Sequence, residues 1–355
     1  MGAELGTGNR AAERLAFVAS QAARVGWYFG QYALAARMAG PTVDPADRPP
    51  GSYPSTSDVL AELRALLEQD WRNMEAGVYL PPDDILPDPR RVLANARAFF
   101  QDLPRVQQRR EGKVGGEVFK QPVPGSERLP RYYRQNFHYQ TGGYLTEESA
   151  RLYDHQVEVL FGGGADAMRR RVLVPIAEHF RTRPVRGAKL LDVAAGTGRF
   201  LAAVKHNYPR LDVTALDLSR PYLAEAMRRL SAWSSARAVQ APAEAMPFPD
   251  ASFDVVTSIY LFHELPRKVR AAAAEEMARV LKPGGLLVFE DSLQTGDRPK
   301  FDALLRLFPV AFHEPYYADY IRQDLRPLFT RHGLEPLGAP DLPFMSKVMA
   351  FRKPG

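Results

Sequence analysis

Small residues form a predicted turn between a strand and a helix near the middle of the 355-residue chain. The segment Leu190 to Phe200, LLDVAAGTGRF, starts with an apolar run that is typical of a buried strand. Its turn consists of Ala194, Ala195, Gly196, Thr197 and Gly198. Glycine lets a ligand contact bare backbone, and the helix that follows would direct free N–H groups at that ligand. The turn therefore predicts a binding site for a nucleotide-type cofactor.

The spacing of the glycines distinguishes between classes of cofactor. A dinucleotide-binding turn has a third glycine three residues after Gly198, and Leu201 occupies that position here. Asp217 ends the next strand pattern, where its carboxylate could accept hydrogen bonds from both hydroxyls of a ribose. Its distance from the glycines suits either class of cofactor. The missing third glycine counts against a nicotinamide or flavin site.

Further motifs follow this turn in a fixed order. The segment Ala243 to Asp254, AEAMPFPDASFD, leads into the strand pattern VVTSIYLF and then into HELP at 263–266. A helix pattern ends in RVLKPGG before the apolar strand LLVFED. In this order and spacing the motifs resemble those of class I S-adenosylmethionine-dependent methyltransferases, and most closely the branch typified by the ubiquinone and menaquinone biosynthesis C-methyltransferases. The resemblance covers roughly Arg171 to Lys353.

The resemblance implies an α/β fold. It predicts a seven-stranded, mostly parallel, Rossmann-like methyltransferase sheet with helices on both faces and an antiparallel hairpin of final strands near Leu334 to Leu337 and Met345 to Arg352. We expect residues 1–165 to form an α-helical N-terminal region that caps or lines a substrate cavity, and residues 166–355 to form the methyltransferase domain.

S-adenosyl-L-methionine is the cofactor that the resemblance implies. The family pattern places Asp192, Gly196 and Gly198 around its methionine part, Asp217 on the ribose, and Ala243 with Glu244 at the adenine edge. Ala194 replaces the first glycine of the usual motif, and Pro242 stands where many relatives carry an aspartate that bonds adenine. Adenine would then be held mainly by backbone and apolar contacts. The predicted cofactor-binding residues are Asp192, Ala194, Ala195, Gly196, Thr197, Gly198, Asp217, Leu218, Ala243, Glu244 and Ser258.

His263 is the predicted catalytic residue. It follows the fourth strand at its C-terminal end, where ligands bind in open α/β sheets. An ordinary histidine pKa near 6.5 suits removal of a proton from a phenol or an enolisable carbon. The alternative is a histidine that only bonds the backbone and shapes the turn, helped by Glu264. Glu290 and Asp291, at the end of the fifth strand, are further candidates.

Aromatic residues crowd the segment Arg131 to Phe161, which precedes the first strand. In the family, the region at this point roofs the cofactor and helps to build the substrate cavity, and an insert such as Gln294 to Tyr320 often forms a lid over the acceptor. Aromatic side chains at helical spacing could instead be ordinary core. The predicted substrate-binding residues are His138, Tyr144, Tyr153 and Tyr317.

These residues suggest a small, flat, aromatic or quinone-like methyl acceptor. Methylation of carbon and methylation of oxygen both remain open, because the fold does not fix the acceptor. Methylation of an amide or adenine nitrogen is disfavoured, since the sequence has no Asn/Asp-Pro-Pro-Tyr motif. An RNA or other nucleic-acid methyltransferase and a non-catalytic protein that binds S-adenosylmethionine remain alternatives.

Three helices are predicted in the N-terminal region. The first would span the first 40 residues and end at Pro41, the second would be capped by Ser57, and the third would run from about Pro89 to Asp102. Thr146 is expected to cap a further helix, because two glutamates follow it.

Composition excludes several chemistries. The absence of cysteine rules out disulfides, iron–sulfur clusters and a cysteine nucleophile. The seven histidines lack an HExxH spacing, so we predict no metal site. The apolar stretch Val25 to Ala36 is too short to cross a bilayer and has no signal-peptide pattern, so we expect a cytoplasmic protein.

The net charge of +6 is concentrated around the helices before the first strand, where it includes Arg169, Arg170 and Arg171. We interpret this excess as a solvated helix face rather than a site for an anionic partner, and expect no nucleic acid to bind, because few aromatic residues are interleaved. Weak association of the first helix with a membrane surface stays an open alternative, as does the oligomeric state.

Overall fold

The computed structural model of the protein describes residues 7–40, 43–83, 88–117, 123 and 125–355. Within these residues, seven strands form one sheet in the order β3-β2-β1-β4-β5-β7-β6. The first five strands pair in parallel, and β7 is antiparallel to both of its neighbours. The predicted fold is confirmed. The strands are β1 (Lys189–Val193), β2 (Asp212–Asp217), β3 (Ala236–Gln240), β4 (Phe253–Ile259), β5 (Leu281–Ser292), β6 (Glu335–Pro336) and β7 (Ser346–Arg352).

Helices occupy both faces of the sheet and the region that precedes it. The α-helices are α1 (Thr7–Ala39), α2 (Thr56–Glu75), α3 (Pro89–Glu111), α4 (Glu147–Leu160), α5 (Ala165–Arg170), α6 (Leu173–Phe180), α7 (Arg199–Asn207), α8 (Arg220–Arg229), α9 (Arg267–Val280), α10 (Asp302–Ala311), α11 (Tyr317–Tyr320) and α12 (Arg326–Thr330). None of the helices within the described residues combines the length and the apolar character needed to cross a membrane.

Alternating side chains of the central strands build the core on both faces of the sheet. In β1, Leu190 packs in one apolar cluster, whereas Leu191 and Val193 pack in another. This division follows from the two-residue period of a strand. The direction of strand order reverses between β1 and β4, and in open α/β sheets a ligand binds beyond the C-terminal strand ends at such a point.

Two of the predicted helix boundaries are wrong. The second helix is capped by Ser55 rather than Ser57, because Ser55 and Asp58 exchange side-chain and backbone hydrogen bonds in a capping box. The third helix continues through Pro104 to Glu111. Arg109, near its end, is held by Glu117 and by the carbonyl of Tyr139, so tertiary contacts extend the helix beyond the proline.

Other helix predictions agree with the structure. The first helix ends at Ala39, while Pro41 lies outside the described residues. Thr146 caps α4 as expected, since its hydroxyl accepts the N–H of Ser149 at 3.2 Å.

Buried ion pairs hold the helices that precede the sheet together. Arg170 donates to both carboxylate oxygens of Asp70 at 2.9 and 2.6 Å, and this contact ties α5 to α2. Arg169 pairs with Asp166 at 3.0 Å. The expectation of a solvated face is therefore wrong for Arg169 and Arg170, which are buried against Asp166 of the same helix and Asp70 of α2.

Candidate active site

A narrow cleft, here called the donor cleft, lies at the C-terminal ends of β1, β2 and β4. Asp217 stands at its centre, and its carboxylate accepts the N–H groups of Gly196 at 2.9 Å and Ser219 at 2.8 Å. Burial raises the pKa of Asp217 to about 6. The predicted cofactor residues that line the cleft are Ala194, Gly196, Asp217, Leu218 and Ala243.

The two glycines of the turn have different roles. Gly196 has φ +54°, and a Cβ added to it would meet no described atom within 4 Å, so its open side is available to a ligand. A Cβ on Gly198 would lie 2.9 Å from the Cβ of Ala226 in α8. Gly198 therefore lets two helices pack closely and does not itself line the cleft.

The remaining predicted cofactor residues do not line the cleft. Asp192 accepts a hydrogen bond from Thr257 at 2.7 Å inside the sheet, and the hydroxyl of Thr197 donates to Asp154 at 2.7 Å. Ser258 is buried in β4, where its hydroxyl finds no partner among the described residues. Ala195 packs against the core, and Glu244 accepts the hydroxyl of Tyr132 at 2.7 Å.

Ala194 adopts a backbone conformation that favours glycine. Its φ is +61°, at the position where the usual motif has a glycine. Ala194→Gly should relieve this strain and raise the free energy of unfolding by about 0.5–1 kcal/mol, as measured by urea denaturation. Ala195→Gly is the control, because Ala195 is not among the residues of positive φ and should lose stability on the same change. Equal losses in both variants would contradict the assignment of strain.

Aromatic side chains from the N-terminal region close the donor cleft, and we call this set the roof. It comprises Tyr132, Tyr133, Phe137 and Tyr144. The rings of Phe137 and Tyr144 stack with centroids 5.5 Å apart, and the carbonyl of Tyr144 accepts the hydroxyl of Ser219 at 2.5 Å. Tyr144 thus lies over the donor cleft, where its ring meets that of Tyr153 edge-on at a centroid distance of 5.9 Å.

A larger apolar cavity, the acceptor cavity, adjoins the donor cleft and has a volume of about 360 Å³. The predicted residues His138, Tyr153, His263 and Tyr317 all line it. It lies between α1, α4 and α10, so side chains of the N-terminal region and of the insert after β5 line it. Apolar side chains supply much of the wall, among them Phe29, Val157, Leu160, Phe161, Leu304, Phe308 and Phe312.

Three residues line both the donor cleft and the acceptor cavity, and we call them the junction. They are Tyr153, Tyr260 and Glu264. Tyr260 has φ +55°, a strained conformation of the kind that clusters at functional sites. Sequence reasoning gave Glu264 only a supporting role and missed Tyr260. Both residues follow the C-terminal end of β4, and this position could have indicated that they lie near a ligand site.

His263 is oriented by Asp291. Its Nδ1 donates to Asp291 at 2.5 Å, while the same carboxylate accepts the N–H of Phe262 at 2.7 Å. Nε2 is therefore the nitrogen free to face the acceptor cavity, and it lies 3.8 Å from Oε1 of Glu264. Burial lowers the pKa of His263, but Asp291 and Glu264 outweigh it and raise the pKa to about 9, above the ordinary value that the sequence suggested.

A fully buried arginine fixes the chain around His263. Arg270 donates to the carbonyl of Phe262 at 2.7 Å, to Asp319 at 2.7 Å and to the carbonyl of Tyr316 at 2.8 Å. These bonds tie the turn after β4 to α11. The arginine therefore holds two walls of the acceptor cavity in register.

Arg270→Met should lower the free energy of unfolding by about 3 kcal/mol, because it leaves the buried carbonyl of Phe262 and two partly buried acceptors, Gln323 and the carbonyl of Tyr316, without this donor. Urea denaturation measures this loss. Arg267→Met is the matched control, since Arg267 binds the same Asp319 but is exposed to solvent, and it should change stability little. Comparable losses in the two variants would contradict a structural role specific to Arg270.

Comparison with known proteins identifies the sheet region. Residues 190–285 match the family described as a methyltransferase domain. The chain carries a class I methyltransferase domain. The matched segment of this domain begins in β1 and ends in β5, so it includes the turn that forms the donor cleft and the His263 turn.

Relatives of the methyltransferase domain cover a wider stretch. The ubiquinone/menaquinone biosynthesis C-methyltransferase of Methylobacterium nodulans is 39% identical over 139 residues, which are 38% of this chain and 53% of that protein. The demethylmenaquinone methyltransferase of Thermus thermophilus is 38% identical over 145 residues, or 41% of this chain and 62% of its own length. This chain thus spans less than two thirds of either relative. Among solved structures, the N-methyltransferase NodS of Bradyrhizobium japonicum is 17% identical, with a TM-score of 0.39 over 53% of this chain and 96% of its own.

S-adenosylmethionine is the cofactor of the methyltransferase domain. The donor cleft suits it, because Gly196 leaves open space against the backbone and the Asp217 carboxylate ends β2 at the position expected for a ribose. The cleft holds only about 80 Å³, whereas ligand pockets typically measure roughly 300 Å³ or more. The roof must therefore move aside when the cofactor enters.

Proposed function

We propose that the protein transfers a methyl group from S-adenosylmethionine to a carbon or oxygen of a small aromatic or quinone-like metabolite bound in the acceptor cavity. The observation that supports this most directly is the junction. Tyr153, Tyr260 and Glu264 border the donor cleft on one side and the acceptor cavity on the other. A methyl group in the cleft and an acceptor in the cavity would meet between these three side chains.

When bound, S-adenosylmethionine supplies an electrophilic methyl group, whose transfer forms one bond to the acceptor, breaks the sulfur–carbon bond and leaves the electron pair on sulfur in S-adenosylhomocysteine. The chain contributes mainly by holding the two reactants close and in line, which can supply several kcal/mol. The largely apolar wall of the acceptor cavity and the roof exclude water from the site.

His263 is proposed to handle the proton that the acceptor loses. Its Nδ1 donates to Asp291, so in the neutral ring, which prevails above the raised pKa of about 9, Nε2 can accept the proton from an acceptor hydroxyl or carbon and then donate a hydrogen bond to the product oxygen. Asp291 orients the ring and stabilises the imidazolium. Tyr317 is fixed nearby by a hydrogen bond of 2.6 Å between its hydroxyl and that of Ser292, and presents its ring to the acceptor.

The acceptor class follows from the lining of the cavity. Aromatic and aliphatic side chains dominate, and polar groups are concentrated around His138, His263 and Glu264. Such a cavity favours a flat apolar molecule that carries oxygen at one end. The Methylobacterium relative is named for ubiquinone and menaquinone biosynthesis and the Thermus relative for demethylmenaquinone, which supports the same class here.

The division of labour along the chain is also a proposal. The five predicted cofactor residues that line the donor cleft all lie in residues 166–355, whereas residues 1–165 supply the roof and much of the acceptor wall. The N-terminal region would then select the acceptor and close over the donor.

Transfer of labelled methyl from S-adenosylmethionine tests this function. Purified protein is incubated with small-molecule extracts and with defined hydroquinones, and the labelled product is identified by mass spectrometry. We expect a labelled lipophilic aromatic product with protein of native sequence and none with Gly196→Val. Binding of S-adenosylhomocysteine without labelling of any small molecule, or labelling of nucleic acid instead, would contradict the proposal.

A further inference from the structure

Three potential metal ligands converge at the polar end of the acceptor cavity. His138 belongs to the segment before α4, Glu264 follows β4, and Glu314 lies between α10 and α11. Nε2 of His138 lies 3.8 Å from Oε1 of Glu264 and 3.3 Å from Oε1 of Glu314. All three ligand atoms lie within 4.8 Å of one another. Such separations match ligands of one ion at bond lengths of roughly 2.0–2.2 Å.

Glu314 is a buried carboxylate with few polar contacts, chiefly those to His138. Only 3% of the residue is exposed, and neither of its carboxylate oxygens accepts a hydrogen bond from a described residue by the usual geometric limits. The neighbouring amide of His138 donates to the carbonyl of His313 at 3.3 Å. Burying a carboxylate without donors is costly, and a bound cation would offset that cost.

We propose that His138, Glu264 and Glu314 bind one divalent transition-metal ion. One imidazole nitrogen and two carboxylate oxygens form a donor set that suits zinc, iron or manganese better than magnesium, which prefers oxygen ligands alone. Three protein ligands leave coordination positions open. Because His138 and Glu264 line the acceptor cavity, those positions face the space in which the acceptor would bind.

Neighbouring residues hold two of the ligands in place. The hydroxyl of Tyr144 donates to Oε1 of Glu264 at 2.5 Å, which leaves a second lone pair on that oxygen for the ion. His138 has φ +56°, and its ring lies edge-on to Phe308 and Phe312 at centroid distances of 5.8 and 6.0 Å. Backbone strain of this kind persists where packing fixes a side chain for a function.

The sequence predicted no metal site because its histidines lack a ligand spacing. The fold brings together residues 138, 264 and 314, which are too far apart along the chain for a short motif to reveal. This inference rests on the proposed function in one respect, namely that the ion would bind an oxygen of the acceptor. As a Lewis acid it would make an acceptor hydroxyl more acidic and fix the orientation of the ring.

Cobalt binding to the full chain tests the site. Protein stripped with a chelator is titrated with Co²⁺, whose visible absorption reports coordination by nitrogen and oxygen, and Zn²⁺ is then added to displace it. We expect one Co²⁺ per chain with a Kd of about 10 μM or tighter, displaced by Zn²⁺. Glu314→Gln and His138→Gln should each weaken binding at least tenfold.

Glu290→Gln is the matched control, because Glu290 is also buried with an unpartnered carboxylate oxygen but lies outside the cluster. It should bind Co²⁺ as the native sequence does. Failure of the native protein to bind Co²⁺ at this affinity, or equal loss in Glu290→Gln, would overturn the proposal.

S-adenosylhomocysteine binding, measured on the same samples, separates this proposal from the proposed function. Binding of S-adenosylhomocysteine without Co²⁺ binding would contradict the proposed metal site and leave the proposed methyl transfer unaffected. If Co²⁺ binding depends on Glu314 but the protein does not bind S-adenosylhomocysteine, the result would support the metal site and contradict the proposed methyltransferase function. Retained S-adenosylhomocysteine affinity in Glu314→Gln also shows that the variant is folded.

Discussion

Replacing Gly196 by valine is expected to weaken binding of S-adenosylhomocysteine at least a thousandfold, or about 4 kcal/mol. The position that a Cβ would occupy on Gly196 is open, and in the proposed complex the ligand fills that space. A branched side chain would exclude the ligand and would also strain the backbone at φ +54°. Isothermal titration calorimetry measures the loss of affinity directly.

Gly333→Val separates steric exclusion from backbone strain. Gly333 also has a positive φ, +78°, and open space around its missing Cβ, but it follows α12 outside the donor cleft. The two variants should lose similar stability, and only Gly196→Val should lose the ligand. If Gly196→Val folds and binds S-adenosylhomocysteine normally, the turn is not the cofactor site.

Replacing His263 by alanine is expected to lower kcat by about 10²- to 10⁴-fold, the range contributed by a general acid or base. The affinity for S-adenosylhomocysteine should change less than about threefold, or roughly 0.65 kcal/mol, because His263 lines the acceptor cavity and not the donor cleft. Steady-state kinetics with the labelled methyl donor measure the first quantity, and calorimetry measures the second.

His155→Ala is the matched control for His263→Ala. His155 is a buried histidine with a side-chain partner, Gln31 at 2.9 Å, and it does not line the acceptor cavity. It should retain kcat within threefold. An unchanged kcat in His263→Ala would assign the histidine to the shape of the turn alone, the alternative that the sequence left open.

The sheet could be predicted from the sequence because its signals are local. The turn at Gly196, the end of β2 at Asp217 and the segment after β4 each combine a strand pattern with a characteristic turn within about a dozen residues. Contacts within each unit determine its conformation. The order of the units then determines the topology, because parallel crossovers are almost always right-handed.

Contacts between distant segments could not be predicted in the same way. Tyr144 and Tyr153 are close in sequence and equally aromatic, yet Tyr144 lies over the donor cleft and Tyr153 at the junction. Glu314 has no motif around it, and its burial beside His138 depends on how α10 packs. Gly198 fits a ligand-binding motif in the sequence, but in the structure it has a different role, because a larger residue there would clash with Ala226.

In the proposed catalytic cycle, the roof would also determine the order of events. Tyr133, Phe137 and Tyr144 seal the donor cleft from the N-terminal side, and the hydroxyl of Ser219 fastens the carbonyl of Tyr144 to the sheet. In that cycle the spent donor could not leave until this contact breaks, whereas the methylated acceptor would occupy a separate cavity. Turnover would then be ordered, with the donor entering first and its product leaving last.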